Sequence, residues 1–283
     1  MSQEEQFLNN ALEDILLKMT GFLENTVKPV FVFSQSAVDA MATEVNMDKF
    51  KFTSDRAEQT SCIPFSFYKD FKVLLTHFGI PVIETNNNLH EEISRVAKNE
   101  NSFAVVSEDL LFLAFGTPYL LRYVDATKNL MRQISLDQIL RQLDLSFEQF
   151  IDLWIILGSD YSKHFKYLKP GKAFTHIKTY KTIEEVIRVL KEGLSEEASK
   201  EEALKSLDSY DFSKPRTIIK LNIEDKETQV EPAVVWKKLN SDDLLEFLVG
   251  NKSFTETTVY NSLTKISNQS TKAIQKRISS FKI

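Results

Sequence analysis

The sequence of 283 residues has very little cysteine, glycine or proline. The single cysteine, Cys62, excludes a disulfide framework and a cysteine-based zinc site, so a reducing compartment is expected. Seven glycines and seven prolines beside 21 phenylalanines exclude a low-complexity or disordered chain. The length fits one large domain or two small ones, because single cores stop growing near roughly 250 to 300 residues.

Long hydrophobic runs are also missing. Apolar runs such as residues 110–115 fall far short of the roughly 18 to 20 residues that span a bilayer, so no membrane segment is expected. The first residues are acidic and lack both the basic start of a secretory signal and the arginine-rich pattern of a mitochondrial one. The cytosol or the nucleus is therefore the expected location.

Several catalytic motifs have no counterpart. The chain lacks G-x-x-x-x-G-K-[ST], G-x-G-x-x-G and G-x-S-x-G, which excludes the common ATPase, dinucleotide-binding and serine-hydrolase classes. The histidines show no ligand spacing such as H-x-x-x-H, which argues against a histidine metal site. They are His77, His90, His164 and His176.

The net charge of -5 argues against a generally basic, nucleic-acid-binding surface, but one segment is locally basic. Between Tyr161 and Ile183 the chain has six lysines and no acid. A helix-loop-helix here could present lysines and backbone N–H groups to successive phosphates, or the segment could simply be a solvated loop. The sequence leaves both interpretations open. The lysines are Lys163, Lys166, Lys169, Lys172, Lys178 and Lys181.

Helices alternate with short apolar strands up to residue 125. This alternation predicts an α/β fold with a mostly parallel central sheet flanked by helices. The stretch 34–63 is polar and without period, which predicts a long loop with room for one short helix. We predict helices at 4–24, 65–78, 89–97 and 110–115, and strands at 30–33, 81–83, 103–106 and 119–124.

After residue 125 the pattern predicts helices only. Ser135 and Ser146, each followed three residues later by Gln, fit the capping box that begins a helix. Further helices are predicted at 147–157, 182–190, 241–249 and 254–266. The predicted domains are a core at 1–125, a helical region at 126–266 and a flexible basic tail at 267–283.

Function in an α/β sheet is expected beyond the carboxyl ends of the strands. A two-metal nuclease needs several carboxylates there, because two Mg²⁺ ions must share oxygen ligands. Asp109 and Asp160 are the best placed acids. The alternative is that Asp109 caps a helix and Asp160 bonds a turn, and the sequence does not decide between these roles.

In these motifs the sequence resembles the flap endonucleases, a family of structure-specific 5′ nucleases. The matching stretches are 28–33, 78–81, 107–116, 147–161, 182–185 and 236–283. The resemblance implies a 5′-nuclease, PIN-like fold, truncated at 1–125 and with 34–63 as a reduced arch. It also implies a helix-two-turn-helix at about 146–190, a nuclear location and a place in DNA replication and repair.

The departures from the family pattern fall on its catalytic acids. Ser34, Asn88, His90 and Leu111 stand where the family has carboxylates, and the family's first strand, with its Asp, has no counterpart. Asp109 and Asp160 are retained, and at most these two would hold a metal. The resemblance therefore implies that no intact catalytic site and no cofactor are expected, with Mg²⁺ needed only for residual activity.

The family's binding elements are altered as well. Residues 167–173 match its helix-two-turn-helix turn without the two leading glycines, while Lys163, Lys166, Lys169, Gly171 and Lys172 remain as candidate duplex-binding residues. The tail resembles a sliding-clamp-binding box in which Lys282 replaces the second aromatic residue, so clamp binding would be weak. Its matching residues are Gln275, Ile278 and Phe281.

Two functions follow from this pattern. The first is a catalytically inactive binding or scaffold subunit of a larger complex, which exposed aromatic residues at Phe65, Phe67 and Phe71 would suit. The second is a residual Mg²⁺-dependent 5′ flap endonuclease, using Asp109 and Asp160 with help from Glu108, Glu91 or Glu92. At least three carboxylates within metal reach would favour the second.

Overall fold

The computed structural model describes residues 3–42, 64–99, 102–125, 130–159, 161–165, 168–194, 205, 207–224 and 234–279. In chain order the described elements are α1 (Gln3–Glu24), β1 (Phe31–Ser34), α2 (Gln35–Ala42), α3 (Phe65–His77), β2 (Val82–Thr85), α4 (Leu89–Asn99), β3 (Val105–Val106), α5 (Leu111–Ala114), β4 (Tyr119–Asp125), β5 (Leu130–Ser135), α6 (Leu136–Leu143), α7 (Phe147–Leu157), α8 (Pro170–Tyr180), α9 (Ile183–Leu194), α10 (Ser213–Glu224), α11 (Ser241–Leu245), a π-helical turn (Glu246–Asn251) and α12 (Glu256–Ser279).

The chain forms two compact units, and both are discontinuous in sequence. The first unit comprises Met1–Leu89, Val124–Met131 and Pro232–Ile283, and the second comprises His90–Tyr123 and Arg132–Glu231. The single boundary that we predicted near residue 125 does not follow this division, because the carboxyl-terminal helices pack with α1 and α3. Local sequence patterns carry no information on such long-range packing.

The core of the first unit forms around α1. Its apolar stripe buries Leu12 and Leu16 against Leu74 and Leu75 of α3, as the spacing of these residues predicts. Beside this core β1 and β2 pair in parallel, with Ser34 opposite Thr85.

Gly79 closes α3 with a positive φ of 72°. A Cβ atom at this position would lie 2.2 Å from the carbonyl oxygen of Lys237, so only glycine fits. The backbone N–H of Lys237 in turn donates to the carbonyl oxygen of Gly79 at 3.0 Å. The glycine that ends α3 thus allows a close approach of the returning chain.

Two phenylalanines of α3 pack against the core of the first unit. Phe71 packs edge-on against Phe31 and Phe33, with ring centroids 5.4 and 5.7 Å apart, and Phe67 joins the same cluster. For these two residues the prediction of an exposed partner surface is wrong. Phe65 is partly buried and stacks on Tyr68 of its own helix at 6.1 Å.

The second unit has a sheet with strand order β3–β4–β5, in which β3 and β4 run parallel. Its helical part buries α7 against α8, α9 and α10. Ser146 and Gln149 make both hydrogen bonds of the predicted capping box at the start of α7. At α6, the Ser135 oxygen accepts from the backbone N–H of Gln138, as predicted.

The structure differs from the sequence pattern in three places. Strand β5 lies where only helices were predicted, because its pairing with β4 is a tertiary interaction that the exposed sequence Leu-Met-Arg-Gln does not signal. Helix α12 continues to Ser279, through most of the predicted flexible tail. The described strands also form two small sheets instead of one central sheet.

The predicted α/β class is confirmed, and the one short helix that we allowed in 34–63 is α2. The rest of that loop lies outside the described residues. Within the described part of the chain, no helix has the length and apolar character needed to cross a membrane.

Candidate active site and nucleic-acid interface

Asp109 is held in the turn that follows β3. Its backbone N–H donates to the Ser107 hydroxyl at 3.1 Å, and its Oδ1 accepts from the backbone N–H of Leu111 at 2.8 Å. These bonds satisfy one of the otherwise unpaired N–H groups at the start of α5. Asp109 lies one residue before the N-cap Leu110, so its side chain closes an Asx turn at the start of α5 instead of occupying the N-cap itself.

The second oxygen of Asp109 is bound by His90, in the first turn of α4. His90 Nε2 lies 2.7 Å from Asp109 Oδ2, and His90 Nδ1 lies 2.9 Å from the hydroxyl of Tyr161. Because an ionised carboxylate can only accept, His90 Nε2 carries the proton and donates. Tyr161, His90 and Asp109 thus form one hydrogen-bonded chain.

The imidazole of His90 sits on aromatic core residues. Its ring stacks on Phe115 at 5.6 Å and contacts Phe112 at 4.8 Å, and the side chain is only 14% exposed. This packing fixes the ring in the orientation that serves Asp109.

Leu111 is 3% exposed and belongs to the core of the second unit, with Ala114 and Phe115. The side chain at this matched family position therefore contributes packing and no ligand oxygen.

Hydrogen-bond donors stabilise the charged form of the Asp109 carboxylate. The hydrogen bond from His90 is the main cause of its lowered pKa, while the backbone N–H of Leu111 and the charges of His90 and Arg122 lower it further and partial burial opposes them. Asp109 is thus an ionised acceptor at neutral pH. Both of its oxygens already have a donor within 2.8 Å.

Two of the other acids considered for a rebuilt site, Glu108 and Glu92, are engaged in ion pairs. Glu108 pairs with Arg122 at 3.2 Å and accepts the backbone N–H of Tyr123 at 2.6 Å. Glu92 is buried and forms an ion pair with Arg95. Asp160 lies outside the described residues.

Ser34 and Asn88 belong to the first unit. The Ser34 hydroxyl lies 2.8 Å from that of Ser36, at the end of β1, and Asn88 is an exposed residue just before α4. The carboxylate at the end of β2 is Glu84, which binds Tyr68 and Lys72. The hydrogen bond from Lys72 is the main cause of the lowered pKa of Glu84, and Tyr68 adds to it.

These residues do not fit a two-metal centre. Mg²⁺ prefers an octahedron of oxygen ligands with carboxylates, whereas four of the matched positions carry a hydroxyl, an amide, an imidazole and a leucine. Among the residues that the structure describes, no three His, Cys, Asp or Glu side chains converge as metal ligands.

The lysine segment surrounds the start of α8. Helix α8 begins at Pro170 with Lys169 in the capping position, so the N–H groups of its first turn point to solvent. Lys163, Lys169 and Lys172 are exposed, and a Cβ atom at Gly171 would meet no atom within 4 Å. This surface is open to an anion. Lys166 lies outside the described residues.

Lys178, on the same helix, has partners within the protein. Its Nζ lies 3.2 Å from Asp144 and 3.3 Å from the carbonyl oxygen of Leu143. The predicted lysine group therefore divides into exposed members and a member that forms a local ion pair.

The turn between α7 and α8 is tightly bonded. Ser159 and Ser162 exchange two backbone hydrogen bonds of 2.9 and 3.1 Å. Gly158 ends α7 with a φ of 89°, and a Cβ there would lie 2.7 Å from the backbone nitrogen of His164. In the predicted clamp-binding box, Gln275 and Ile278 fall within α12, and Phe281 lies outside the described residues. That box stays a prediction.

Tyr161 and Arg122 are the site residues that the sequence analysis missed. Tyr161 adjoins Asp160 in the matched motif, so its position was a usable signal. Arg122 gave no signal, because its importance comes from Glu108, which another element brings beside it.

Comparison with known proteins gives consistent results. The XPG I-region family model matches residues 79–160. The sequence is 29% identical to Flap endonuclease 1 of Tetrahymena thermophila over 291 residues, which cover 95% of this chain and 74% of that protein.

Two solved structures share the fold. The catalytic core of Rad2 in complex with a DNA substrate superposes with a TM-score of 0.64 at 17% identity, covering 88% of this chain and 81% of that one. Flap endonuclease-1 from Methanococcus jannaschii superposes with a TM-score of 0.62 at 22% identity, and the match covers 92% of this chain and 81% of that one. The fold class predicted from the sequence is confirmed by these similarities.

Proposed function

We propose that this chain, which is similar in sequence and fold to the flap endonucleases, acts as a nucleic-acid-binding subunit that does not cleave its ligand. The observation that carries this proposal is the bond between His90 and Asp109. It supports a candidate site whose acid already accepts a hydrogen bond from the protein itself.

The chemistry of the pair disfavours metal-assisted cleavage. A cation approaching Asp109 Oδ2 would have to displace the His90 N–H and move a ring that stacks on Phe115. Leu111 supplies no oxygen with which to compensate for that loss. Displacing the His90 donor gives up a charge-assisted hydrogen bond worth about 1 kcal/mol at this partly exposed carboxylate, and a bound cation would have to offset that loss.

The exposed lysines support binding to duplex phosphates. Lys169, Gly171 and Lys172 lie in or next to the first turn of α8, where backbone N–H groups and the helix dipole favour an anion. Lys163 lies close by in sequence and is also exposed. We propose that these residues, together with Lys166, contact successive phosphates of one strand.

The setting that we propose follows from the family. A non-cleaving member would serve as a subunit of a larger assembly in DNA replication and repair, in the nucleus. Gln275, Ile278 and Phe281 are the residues proposed to contact a sliding clamp, weakly because Lys282 replaces an aromatic side chain.

The test is a combined binding and cleavage assay on one labelled 5′-flap DNA with Mg²⁺. We expect binding without cleavage, while Flap endonuclease 1 of Tetrahymena thermophila, assayed in parallel, serves as the positive control. Replacing Lys169 and Lys172 by Ala should weaken binding. Cleavage that is abolished by Asp109→Ala would overturn the proposal.

The second candidate is a residual Mg²⁺-dependent 5′ flap endonuclease. It is favoured by the similarity to proteins named flap endonucleases, which extends over 95% of this chain in the relative described above. It would use Asp109 and Asp160. Its signature is cleavage that both Asp109→Ala and Asp160→Ala remove while binding to the flap substrate persists.

A further inference from the structure

The second unit exposes large aromatic and apolar side chains along β3 and β4. Phe103 is 67% exposed, Val106 56% and Tyr123 57%. Single exposed apolar side chains are ordinary on protein surfaces, whereas several that are grouped together indicate a binding site.

The parallel register explains the exposure at the start of this surface. Val105 pairs with Leu120 and both are buried, so their neighbours Val106 and Leu121 point to the opposite, outer face. Phe103 stacks on Tyr119 with centroids 5.2 Å apart and planes inclined by 17°. One face of the Phe103 ring is covered by Tyr119, and the exposed fraction shows that the other is open to solvent.

Two arginines gather at the far end of β4. The guanidinium groups of Arg122 and Arg132 lie 4.9 and 5.4 Å from the ring centroid of Tyr123. Tyr123 is fixed with a φ of 51° by the bond from its backbone N–H to Glu108. The ring therefore holds both guanidinium groups in place.

The two arginines differ in their partners. Arg122 pairs with Glu108 at 3.2 Å, whereas Arg132 has no ion pair with a described residue. Arg132 is exposed and positioned by the Tyr123 ring, so its planar fork is available to an anion. Phe103 is adjacent to the start of this strand pair, and Tyr119 and Tyr123 are about 13 Å apart along β4.

We propose that this aromatic-arginine platform, formed by Phe103, Tyr119, Tyr123, Arg122 and Arg132, binds single-stranded nucleic acid. A base would stack on the open face of Phe103, and a phosphate a few nucleotides along would contact Arg132. The proposal goes beyond the duplex contact assigned to the lysines, because it concerns a different surface and an unpaired strand.

A nucleic acid fits this surface better than an acidic peptide does. Carboxylates would satisfy Arg132, but an acidic segment brings no planar group to the open Phe103 ring. Every nucleotide supplies both a π-face and a phosphate, and stacking on an aromatic side chain tolerates any base. The pairing of an open ring with an available guanidinium is thus complementary to a single strand.

The experiment measures binding of the full-length protein to fluorescein-labelled oligothymidylate of about 16 nucleotides and to an abasic strand of the same length and charge. Phe103→Ala should raise the Kd for oligothymidylate at least about fivefold and leave the abasic strand unaffected, since stacking is removed and charge is kept. Arg132→Ala should lower the slope of log K against log salt by about 0.7 for both strands.

Controls separate this surface from others. Tyr260→Ala and Arg141→Ala remove an exposed aromatic ring and an exposed cation elsewhere, and should leave both affinities unchanged. Thermal unfolding of each variant verifies folding, and Phe103→Leu provides a second variant that keeps the apolar bulk without the aromatic ring. Its Kd for oligothymidylate should also rise.

Unchanged binding of oligothymidylate after both Phe103 replacements would overturn the proposal. So would an equal loss for the abasic strand, or displacement of oligothymidylate by polyglutamate at matched charge, because either result would assign the surface to anions without bases. Failure of the proposed function gives a different result. It would appear as cleavage of the flap substrate, or as duplex binding that is unchanged when Lys169 and Lys172 are replaced.

Discussion

His90 Nε2 lies 2.7 Å from Asp109 Oδ2, so an imidazole N–H donates to one of the two acids that we predicted to remain from a catalytic set. The backbone N–H of Leu111 donates to the other oxygen, Oδ1, so both carboxylate oxygens of Asp109 accept a hydrogen bond from the protein. His90 also stands at a position where the resemblance predicted a carboxylate. If that match holds, the residue that replaces one acid is the residue that binds the other.

The first prediction concerns the stability that this pair provides. His90→Ala should lower the free energy of unfolding by about 1 to 2 kcal/mol at pH 7, because Asp109 loses a charge-assisted donor at a partly exposed site. Urea unfolding of both proteins measures the difference. His176→Ala, which changes an imidazole that bonds only its own helix at Lys172, is the matched control.

The pH dependence of that difference has a definite sign. The pKa of Asp109 is lowered in the folded state, so its contribution is present above the unfolded value near 3.9 and is lost as the pH falls through the folded pKa. The difference in the free energy of unfolding between wild type and His90→Ala should therefore decrease below about pH 4. A gap that stays constant down to pH 3 would contradict the role given to the charge of Asp109.

The second prediction adds an acid at position 90, where the resemblance predicts a carboxylate. His90→Glu places a second carboxylate beside Asp109, which should destabilise the protein through repulsion, and millimolar Mg²⁺ should recover part of that loss. His90→Gln removes the same imidazole without adding charge and should show no response to Mg²⁺. Thermal unfolding with and without Mg²⁺ is the measurement. If Mg²⁺ raised the wild-type Tm as much as that of His90→Glu, the site would already bind metal.

Much of this arrangement was accessible from the sequence, but not its central contact. Periodicity and capping patterns predicted α1, α3 and α7 closely, because those elements are determined by local residue spacing. The family motifs predict replaced acids at Ser34, Asn88, His90 and Leu111, and this match stays a prediction. They could not show that His90 would turn toward Asp109, since that contact depends on how α4 and the β3–α5 turn pack through Phe112 and Phe115.

The third prediction tests a buried ion pair in the second unit. Asp152 is 4% exposed, accepts two hydrogen bonds from Arg216 and one from the backbone N–H of Ile183, and so ties α7 to α9 and α10. Burial is the main cause of its raised pKa, and Arg216 opposes that shift.

Asp152→Ala leaves Glu184 as the one described acidic partner of Arg216. The free energy of unfolding should fall by about 3 kcal/mol, which is the lower end for broken buried pairs because Arg216 is partly exposed. Urea unfolding measures the loss. Glu185→Ala removes one partner of the exposed pair with Arg188 and should change stability by less than about 1 kcal/mol. Equal losses for the two variants would contradict the importance given to burial.

The fourth prediction separates lysines that contact phosphates from a lysine that forms an internal pair. Lys169→Ala and Lys172→Ala should each lower the slope of log K against log salt for duplex DNA by about 0.9, because each removes one phosphate contact. Lys178→Ala should leave the slope unchanged, since Lys178 already pairs with Asp144. Fluorescence anisotropy on a hairpin duplex provides the measurement. Equal slope changes for all three variants would indicate a diffuse charge effect.

The fifth prediction compares two glycines whose surroundings differ. Gly79→Ala should destabilise the protein by several kcal/mol, because φ is 72° and the new Cβ would lie 2.2 Å from the carbonyl oxygen of Lys237, a backbone atom that cannot simply rotate away. Gly171→Ala should stabilise it by up to about 1 kcal/mol, since Gly171 lies within α8 with open space around it. Urea midpoints with constant m values measure both changes. Because the two substitutions add the same methyl group, opposite signs would show that backbone conformation and space decide the outcome, whereas two losses of similar size would mean that the start of α8 needs glycine for a reason outside its own helix.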